Sequence, residues 1–530
     1  MQTMMKVSVG VVTCVLSLLE CTAATPADLD HMIYAQRILS PAPGMEEGRV
    51  YALQYCQRCH LFVEPEALPR FIWEDFVIPQ MGGFLGMHHA GYRYSGSVEL
   101  GRSEEEALII REANVYPDTA MVPKEHWDKL VDYFVSNAPS SRLPEADRPD
   151  IQVGLDQLKA VQWPFREVAT TTLVKIDEDK RELLVGDARR QSLTIFSPKG
   201  EIKHAIECQA IPVWVRRTGN ELWITGIGRM FPSDLARGDL QVYVETNGRY
   251  EFASRKLSGL RRPSYTTYAD LNMDGVEDII MSEFGNQVGQ LTWYEGSGNE
   301  FEPHVLHAEP GSMTTHLYDF NEDGRQDVAA VFGQNREGVH IFYNLGDGNF
   351  RRSYALQAPP NYGSAYFNMY DFNGDGHVDI LAMHGDSGDY TPILKRYHGL
   401  RIYLNDGKNY FEERYFFPMH GAFKAMAEDF DEDGDLDIAA IATFADFGRR
   451  PEEGFVYLEN KGEFQFEAYS IPEVGEGRWL TMDVGDLDGD GDKDVVLGSY
   501  VEFGTLLPPG LKDRWDSLKL PVLYLENQLR

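Results

Sequence analysis

The stretch LQYCQRCHLF contains three residues whose types and spacing suit metal or redox chemistry. Cys56 and Cys59 are separated by two residues, and His60 follows directly. In a Cys-x-x-Cys-His motif the two thiols bond covalently to a haem, and the adjacent imidazole becomes an axial ligand of the iron. The sequence therefore predicts one haem c per chain, held by these three residues.

Two other uses of a closely spaced cysteine pair, a zinc site and a redox disulfide, explain fewer of the three residues. A closed structural zinc site needs four ligands, and the sequence has no second closely spaced cysteine pair to complete one. A thioredoxin-like redox pair belongs beside a βαβ pattern, which does not surround these residues. Zinc and a disulfide stay as alternatives, but neither gives His60 a role.

A second kind of chemistry is repeated five times in the C-terminal half, in nine-residue segments that we call the Asp loops. Each has an oxygen-bearing side chain at its first, third, fifth and ninth positions and a glycine at its sixth, as in DFNGDGHVD from Asp371. Alternating oxygen ligands around a sharp glycine turn suit a hard cation, above all calcium. An EF-hand would continue into a helix, whereas strand-like runs such as ILAM follow here. The predicted calcium ligands are Asp270, Asn272, Asp274, Asp278, Asp319, Asn321, Asp323, Asp327, Asp371, Asn373, Asp375, Asp379, Asp429, Asp431, Asp433, Asp437, Asp486, Asp488, Asp490 and Asp494.

The elements that must position these loops recur with them. The loops begin 49 to 58 residues apart, which is a period typical of solenoids and propellers. Each is followed by an aromatic strand, a Gly or Asn turn and another strand, as in IFYNLGDGNF. Each repeat therefore predicts four antiparallel strands, with the Asp loop between the first and the second, as in a propeller blade.

Two weaker copies, from about residue 172 and from Val213, bring the predicted number of blades to seven. The first has Lys180 where an acidic residue is expected, so metal binding by these two copies stays open. The last blade ends at residues 522–527 without an outer strand. The segment WPFREVA, residues 163–169, is predicted to supply that strand and close the ring.

The Asp loops resemble the calcium loops of FG-GAP or VCBS repeats in integrin-type propellers. The resemblance is strong over residues 264–500 and weak over residues 165–263. It implies about five calcium ions with a structural role, each of which tethers one loop and neutralises part of its charge.

The segment upstream of the propeller is predicted to be helical. In PKEHWDKLVDYFVSNAP, Trp127, Leu130 and Phe134 fall on one helical face. Together with the helix that leads into the Cys-x-x-Cys-His motif, about residues 40–139 resemble a small single-haem c-type cytochrome domain. This resemblance implies His60 on one side of the iron and often a methionine on the other.

The sequence leaves the second axial ligand open. Met81 is followed by Gly82 and Gly83, which would allow close approach to the porphyrin, whereas Met121 stands just before the last helix of the segment. We expect one of these two methionines, with Met81 slightly favoured. His88 and His89 provide a bis-histidine alternative.

The N-terminus has the pattern of an export signal, with Lys6, a short apolar run and TAA at residues 22–24. A lipoprotein anchor at Cys21 is disfavoured because Glu20 stands where a small residue is required. We therefore expect a multidomain protein that is periplasmic or at the cell surface. Its predicted organisation is a signal peptide at 1–24, a small all-α cytochrome c domain at 25–139, a linker at 140–152 and an all-β seven-bladed β-propeller at 153–530.

The formal net charge of −34 argues against nucleic acid as a partner. Cations nevertheless gather in the connections that are expected on the face opposite the Asp loops, which predicts either a site for an anionic or sugar ligand or a surface that receives the N-terminal helices. These cations are Arg229, Arg261, Arg262, Arg336, Lys395, Arg396, His420, Arg449, Arg450 and Arg478.

The favoured function is electron transfer in the cell envelope, with the propeller recognising a partner or substrate. The expected partner is a redox protein or a quinone-linked oxidoreductase. Two alternatives stay open: a propeller dehydrogenase that oxidises a sugar or small molecule and passes electrons to the haem, and a non-catalytic adhesion or sensing module. No catalytic set of residues is predicted.

Overall fold

The computed structural model describes residues 45–87, 103–141, 143, 147–387, 393–503 and 507–529, and the fold below is that of the compact unit Glu47–Arg530. The predicted signal peptide, Cys21, His88 and His89 lie outside the described residues. Within them, no helix is both long enough and apolar enough to cross a bilayer.

Seven sheets follow one another along the chain, which confirms the predicted seven-bladed propeller. Two short strands, β1 (Gln152–Val153) and β2 (Leu158–Val161), precede the first blade. Blade 1 contains β3 (Thr171–Asp177), β4 (Glu182–Asp187), β5 (Ser192–Phe196) and β6 (Ile202–Glu207), and blade 2 contains β7 (Pro212–Thr218), β8 (Glu221–Gly226), β9 (Gly238–Thr246) and β10 (Arg249–Leu260). Blade 3 contains β11 (Pro263–Ala269), β12 (Asp278–Glu283), β13 (Gln290–Ser297) and β14 (Glu300–His307), and blade 4 contains β15 (Ser312–Tyr318), β16 (Asp327–Phe332), β17 (Gly338–Gly346) and β18 (Asn349–Tyr354).

The last three blades carry the remaining strands. Blade 5 contains β19 (Ser364–Tyr370), β20 (Asp379–His384), β21 (Gly399–Asn405) and β22 (Phe411–Pro418), and blade 6 contains β23 (Ala422–Glu428), β24 (Asp437–Ala442), β25 (Phe455–Asn460) and β26 (Phe466–Ser470). Blade 7 contains β27 (Trp479–Gly485), β28 (Asp494–Ser499) and β29 (Val522–Asn527). Short 3₁₀ turns at Pro451–Gly454 and Pro472–Glu476 and the helix Leu511–Leu518 lie in the connections.

The core of the propeller lies between neighbouring blades. In blades 3 to 7 the second strand is buried along its whole length, and in blade 6 it reads DIAAIA. A continuous apolar run suits a strand that is covered on both faces. The fourth strand of blade 3, in contrast, is largely exposed or half-buried. The blades therefore stack through their inner strands and leave their outer strands to solvent.

The ring closes through residues that precede the segment we predicted. Strand β2 pairs antiparallel with β29, with Leu158 opposite Asn527 and Val161 opposite Tyr524. The prediction that residues 163–169 form this strand is wrong. Pro164 cannot donate a ladder hydrogen bond, and the neighbouring Trp163 is buried in the core between blades 1 and 7.

Part of the predicted linker is bound to the propeller. Strand β1 pairs parallel with β26 and adds a fifth strand to blade 6. Just upstream, Arg148 forms a buried ion pair with Glu453.

The helical segment contains α1 (Glu47–Cys56), α2 (Arg70–Ile72), α3 (Ile78–Phe84), α4 (Glu104–Glu112) and α5 (Lys124–Asn137). A 3₁₀ turn at Pro65–Ala67 precedes α2, and a π-helical turn at Trp73–Val77 joins α2 to α3. Helices α1 and α5 pack closely because Gly48 has no side chain: a Cβ there would lie 2.4 Å from the Lys129 carbonyl oxygen.

The predicted separate all-α cytochrome c domain is wrong, because these helices and the propeller form one compact unit. Ile393 of blade 5 packs against the same hydrophobic cluster as Trp127 and Phe134 of α5. The Glu106 carboxylate of α4 is buried and accepts hydrogen bonds from the Ser233 hydroxyl and the Asp234 backbone N–H. Helical periodicity predicts that a helix buries one face, but it does not specify the surface that covers that face.

Candidate functional site

Each Asp loop connects the first and second strands of its blade, and its carboxylates hold its backbone in place. In blade 3, the two oxygens of Asp270 accept hydrogen bonds from the N–H groups of Asp274 and Gly275, at 3.0 and 2.9 Å. The ninth-position residue, Asp278, is fully buried and accepts from Leu271 N and Gly296 N at 2.9 and 2.8 Å. These contacts fold the loop so that its other polar oxygens are left near one another.

The glycine at the sixth position is required by the backbone. Its φ is +87° at Gly275, +85° at Gly324, +88° at Gly376, +99° at Gly434 and +104° at Gly491. This left-handed conformation is strained for residues that carry a Cβ. The glycines therefore provide the sharp turn that the sequence predicts.

Two of the five loops bring three carboxylates together. Oxygen atoms of Asp429, Asp431 and Asp433 lie within 4.8 Å of one another, and so do oxygen atoms of Asp486, Asp488 and Asp494. Clustered carboxylate oxygens are ligands that calcium prefers, so these residues fit the predicted ion.

The other predicted ligands have different surroundings. The third position is Asn272, Asn321 or Asn373 in blades 3 to 5, and the Asn272 amide oxygen accepts from Asp274 N at 3.1 Å. Asp437 of blade 6 accepts hydrogen bonds from Tyr457 and Asn460, and Asp490 of blade 7 accepts one from Asp492 N. The structure thus gives two groups of three converging carboxylates and three loops with mixed carboxylate and amide oxygens.

The ninth-position carboxylates have raised pKa values. Burial raises the pKa of Asp494 to about 7, and the nearby Asp488 adds to the effect. Burial likewise raises the pKa of Asp327 and of Asp437 to about 6. A cation in these loops would favour the charged carboxylates that burial disfavours.

The sequence analysis missed a set of asparagines that support the Asp loops. Backbone N–H groups at the ends of third strands donate to the ninth-position carboxylates, at 2.7 Å from Asn344 to Asp327 and 3.0 Å from Asn527 to Asp494. Asn405 and Asn460 repeat this contact with Asp379 and Asp437. The recurring Asn in YNL, YLN and LEN is the sequence signal that could have found them.

The amides of three asparagines also join neighbouring blades, and we call these contacts the asparagine bridges. In each, a side-chain Nδ2 donates to the backbone carbonyl at the second position of the preceding blade's Asp loop. The bridges are Asn344 to Leu271 at 2.7 Å, Asn409 to Phe320 at 2.7 Å and Asn527 to Phe430 at 2.9 Å.

The Cys-x-x-Cys-His motif lies at the end of α1. Cys56 is the last residue of that helix, and both Cys56 and Cys59 are free thiols. The Nδ1 of His60 hydrogen-bonds the Leu61 carbonyl oxygen at 2.8 Å. A carbonyl can only accept, so this bond assigns the proton to Nδ1 and leaves a lone pair on Nε2 that could bind a metal. Burial lowers the pKa of His60, which favours the neutral ring.

The two candidate methionine ligands lie in different settings. Met81 is half-buried in α3, and the missing Cβ of Gly82 would lie 3.1 Å from the Trp127 ring. That glycine is therefore explained by helix packing and needs no porphyrin beside it. Met121 is 51 % exposed, and its backbone N–H bonds the Leu85 carbonyl. Axial ligation by Met81 or by Met121 stays a prediction.

Two cations of the blade 2 connection lie close to carboxylates of the helical segment. Arg237 of blade 2 pairs with Glu105 of α4 at 2.6 Å, and Arg229 lies 3.9 Å from Glu106. The pKa of Arg336 is raised, chiefly by its hydrogen bond with Tyr354, and Cys59 is among the weaker contributors. The Cys-x-x-Cys-His motif is therefore close to the blade 4 connection.

Three segments of the chain match the FG-GAP-like repeat family: residues 270–330, 319–382 and 429–497. They contain all five Asp loops, which confirms the predicted FG-GAP-like repeats, and together they cover less than half of the chain. The comparison with curated proteins found no match.

Several solved structures of other proteins resemble this chain at low sequence identity. Saccharomyces cerevisiae Sqt1 is 10 % identical with a TM-score of 0.43, over 71 % of this chain and 100 % of that one. The N-terminal domain of Nup159 is 10 % identical with a TM-score of 0.42, over 72 % and 98 %. The periplasmic gluconolactonase of Pseudomonas aeruginosa is 12 % identical with a TM-score of 0.38, over 56 % and 85 %. These values carry no inference about function.

Proposed function

We propose that this protein is an exported electron carrier with one haem c attached at Cys56 and Cys59 and ligated by His60. Its FG-GAP-like propeller is compatible with a recognition or binding module, and we assign to it the recognition of a redox partner or substrate. A bound haem would supply reversible one-electron chemistry.

The observation that carries this proposal is the state of the His60 ring. The Leu61 carbonyl holds Nδ1 at 2.8 Å and orients the ring, so that Nε2 is free to bind a metal. A backbone carbonyl on the remote ring nitrogen is a common way of orienting histidines that ligate metals. Two free thiols in the same turn, Cys56 and Cys59, complete the donor set for covalent attachment.

The experiment is a reduced-minus-oxidised visible spectrum of the full chain, exported in a host that attaches haem to Cys-x-x-Cys-His motifs. We expect a c-type spectrum in the wild type and none in the C56A/C59A variant. The matched control is Cys208→Ala, because Cys208 is the other described free cysteine and is buried in the propeller. A colourless wild type, or a spectrum that survives in C56A/C59A, would overturn the proposal.

We propose in addition that calcium occupies the Asp loops and stabilises the propeller. The support is the convergence of three carboxylates in each of two loops, and the same pattern of oxygens in the other three. The ions would screen the mutual repulsion of these carboxylates and hold the ends of adjacent strands together.

A binding module without electron transfer is the second candidate, and the FG-GAP-like repeats favour it. The two candidates differ in a simple measurement. Electron transfer requires that a reductant change the visible spectrum reversibly, whereas a pure binding module would show partner binding that does not depend on the C56A/C59A change.

A further inference from the structure

A group of buried polar side chains lies on the propeller face opposite the Asp loops, and we call it the polar cluster. It is centred on blade 5 and includes the connections on either side of that blade. Each member has a relative exposure of 5 % or less. The members are Glu337, Ser364, His384, Lys395, His398, Arg401 and His420.

Hydrogen bonds within the cluster assign the protonation of His384. The backbone N–H and the hydroxyl of Ser364 both donate to Oε2 of Glu337, at 2.9 and 3.1 Å. The Ser364 hydroxyl oxygen lies 3.1 Å from Nδ1 of His384, and because its own proton goes to Glu337 it accepts from Nδ1. The Nε2 of His384 therefore has a lone pair, and it has no hydrogen-bond partner among the described residues.

Two cations of the cluster, Arg401 and Lys395, are hydrogen-bond donors. Arg401 donates through Nε to Glu413 and through Nη2 to the Tyr397 carbonyl, but its buried Nη1 has no partner within the described part of the chain. Lys395 is buried, and burial lowers the pKa of its ammonium group to about 8, whereas the nearby Glu337 and Asp386 carboxylates act to raise it. Buried donors and acceptors without partners are uncommon in folded proteins and require an explanation.

The groups share one small region. Burial, Lys395, His420, His384 and Arg401 all act to lower the pKa of His398, which places these four residues around it. Two further ring nitrogens, Nε2 of His398 and Nδ1 of His420, are buried and lack partners among the residues that the structure describes.

The arrangement does not suit a metal ion. Among the described residues, three ligand atoms from His, Cys, Asp or Glu lie within 4.8 Å of one another only in the two Asp loops. The ring nitrogens of His384, His398 and His420 do not converge in this way. A ligand for these groups would have to reach several separated atoms.

We propose that the polar cluster binds a small hydroxycarboxylate. Its carboxylate would accept hydrogen bonds from Lys395 and from Nη1 of Arg401, and its hydroxyl would donate to Nε2 of His384. A molecule with both groups pairs Nη1 of Arg401 through its carboxylate and Nε2 of His384 through its hydroxyl, whereas a simple carboxylate lacks the donor and an alcohol lacks the charged acceptor.

The cluster lies beside a contact between the propeller and the helical segment. Tyr397 of the same connection donates to the Ala67 carbonyl of the helical segment across a long hydrogen bond of 3.4 Å. The inference goes beyond the proposed electron carrier, because all the binding groups belong to the propeller and none requires a haem.

The test is isothermal titration calorimetry of the full chain with lactate, propionate and propan-2-ol. These probes have similar carbon skeletons and differ in carrying both groups, the carboxylate alone or the hydroxyl alone. We expect saturable binding of lactate, at least tenfold tighter than that of the other two. No saturable binding of lactate, or equal binding of propionate, would overturn the proposal.

Two variants locate the site. Lys395→Met removes the ammonium group while keeping a long apolar side chain, and we expect it to weaken lactate binding at least tenfold. The matched control is Lys424→Met, since Lys424 of β23 is also a lysine whose pKa burial lowers to about 8 but packs on the Tyr366 ring outside the cluster. Equal loss in both variants, or no loss in Lys395→Met, contradicts the assignment.

A milder variant keeps the proposal testable if Lys395→Met does not fold. Ser364→Ala removes the hydroxyl that orients His384, so it should weaken lactate binding several-fold and leave propionate binding unchanged. Unchanged lactate binding in this variant would refute the role of His384. The same titration on the C56A/C59A variant should still show lactate binding, which separates this inference from the haem.

Discussion

The asparagine bridge between blades 3 and 4 offers a sharp test of how the Asp-loop face is held together. Asn344 is buried, and its amide makes three hydrogen bonds: Nδ2 donates to Leu271 O at 2.7 Å and to Gln326 O at 3.2 Å, and Oδ1 accepts from Gly346 N at 3.0 Å. A net contribution of about 1 kcal/mol per bond makes Asn344→Ala destabilising by about 3 kcal/mol. Part of that cost arises because the Leu271 carbonyl loses its partner in a buried site.

The assay is chemical denaturation followed by tryptophan fluorescence. Trp293 of blade 3 is buried and packs on Phe350 of blade 4, with 5.8 Å between ring centroids, and it is one of eight tryptophans whose summed emission follows unfolding. The matched control is Asn349→Ala in the same hairpin, where the side chain is exposed and bonds only the turn carbonyls of Gly346 and Asp347. We expect the control to change the free energy of unfolding by less than about 0.5 kcal/mol.

The reasoning is refuted if Asn344→Ala shifts the unfolding midpoint no more than Asn349→Ala does. A variant that changes only the slope of the denaturation transition, and not its midpoint, would also count against the asparagine bridge. The slope reports the surface exposed on unfolding and not the strength of the bridge.

Three further predictions concern closure, calcium and pH. Replacing Leu158 of β2 by Asp should lower the melting temperature sharply, because it places a charge in the apolar core between blades 6 and 7, on the strand that closes the ring; the exposed Lys159→Asp change is the control, and equal melting curves would exclude β2 as the closing strand. A calcium chelator should lower the melting temperature of the wild type, and added calcium should restore it; a melting curve indifferent to both means that the loops hold no stabilising ion. Burial lowers the pKa of His316 from 6.5 to about 4. Between these pH values the unfolded chain therefore binds a proton that the folded chain does not. The free energy of unfolding falls as the pH falls, by up to about 1.4 kcal/mol per pH unit. His316→Gln should reduce the slope of the unfolding free energy against pH, measured by denaturation between pH 4 and 6.5. An unchanged slope contradicts a buried neutral imidazole.

Much of the Asp-loop chemistry could be predicted because it is local. The first, third, fifth and ninth positions and the sixth-position glycine lie within nine residues, so their hydrogen bonds depend mainly on the conformation of one turn. The backbone φ of Gly376 matches the predicted sharp turn. Local spacing did not predict that only the blade 6 and blade 7 loops bring three carboxylates together, which depends on having Asp431 or Asp488 at the third position.

Contacts between distant residues were predicted less well. The helical face of α5 was predicted correctly, with Trp127, Leu130 and Phe134 buried, but a separate helical domain was wrong because Ile393 of blade 5 packs in the same cluster. The strand that closes the ring was correctly predicted to come from the segment before blade 1, but it was placed in residues 163–169 instead of β2. Residues 158–161 pair with β29 instead, and Trp163 is buried in the core between blades 1 and 7.

The sequence alone determines which residues bear the chemistry: the five Asp loops, the seven repeats and the spacing of Cys56, Cys59 and His60. These features are encoded over short distances, where turn geometry and side-chain type decide the outcome. The tertiary structure decides what those elements meet, including the asparagine bridges, the covering of the helical segment and the polar cluster around His398. The physical reason is that each such contact joins residues far apart in the chain, and its stability depends on many weak packing interactions that no single segment contains.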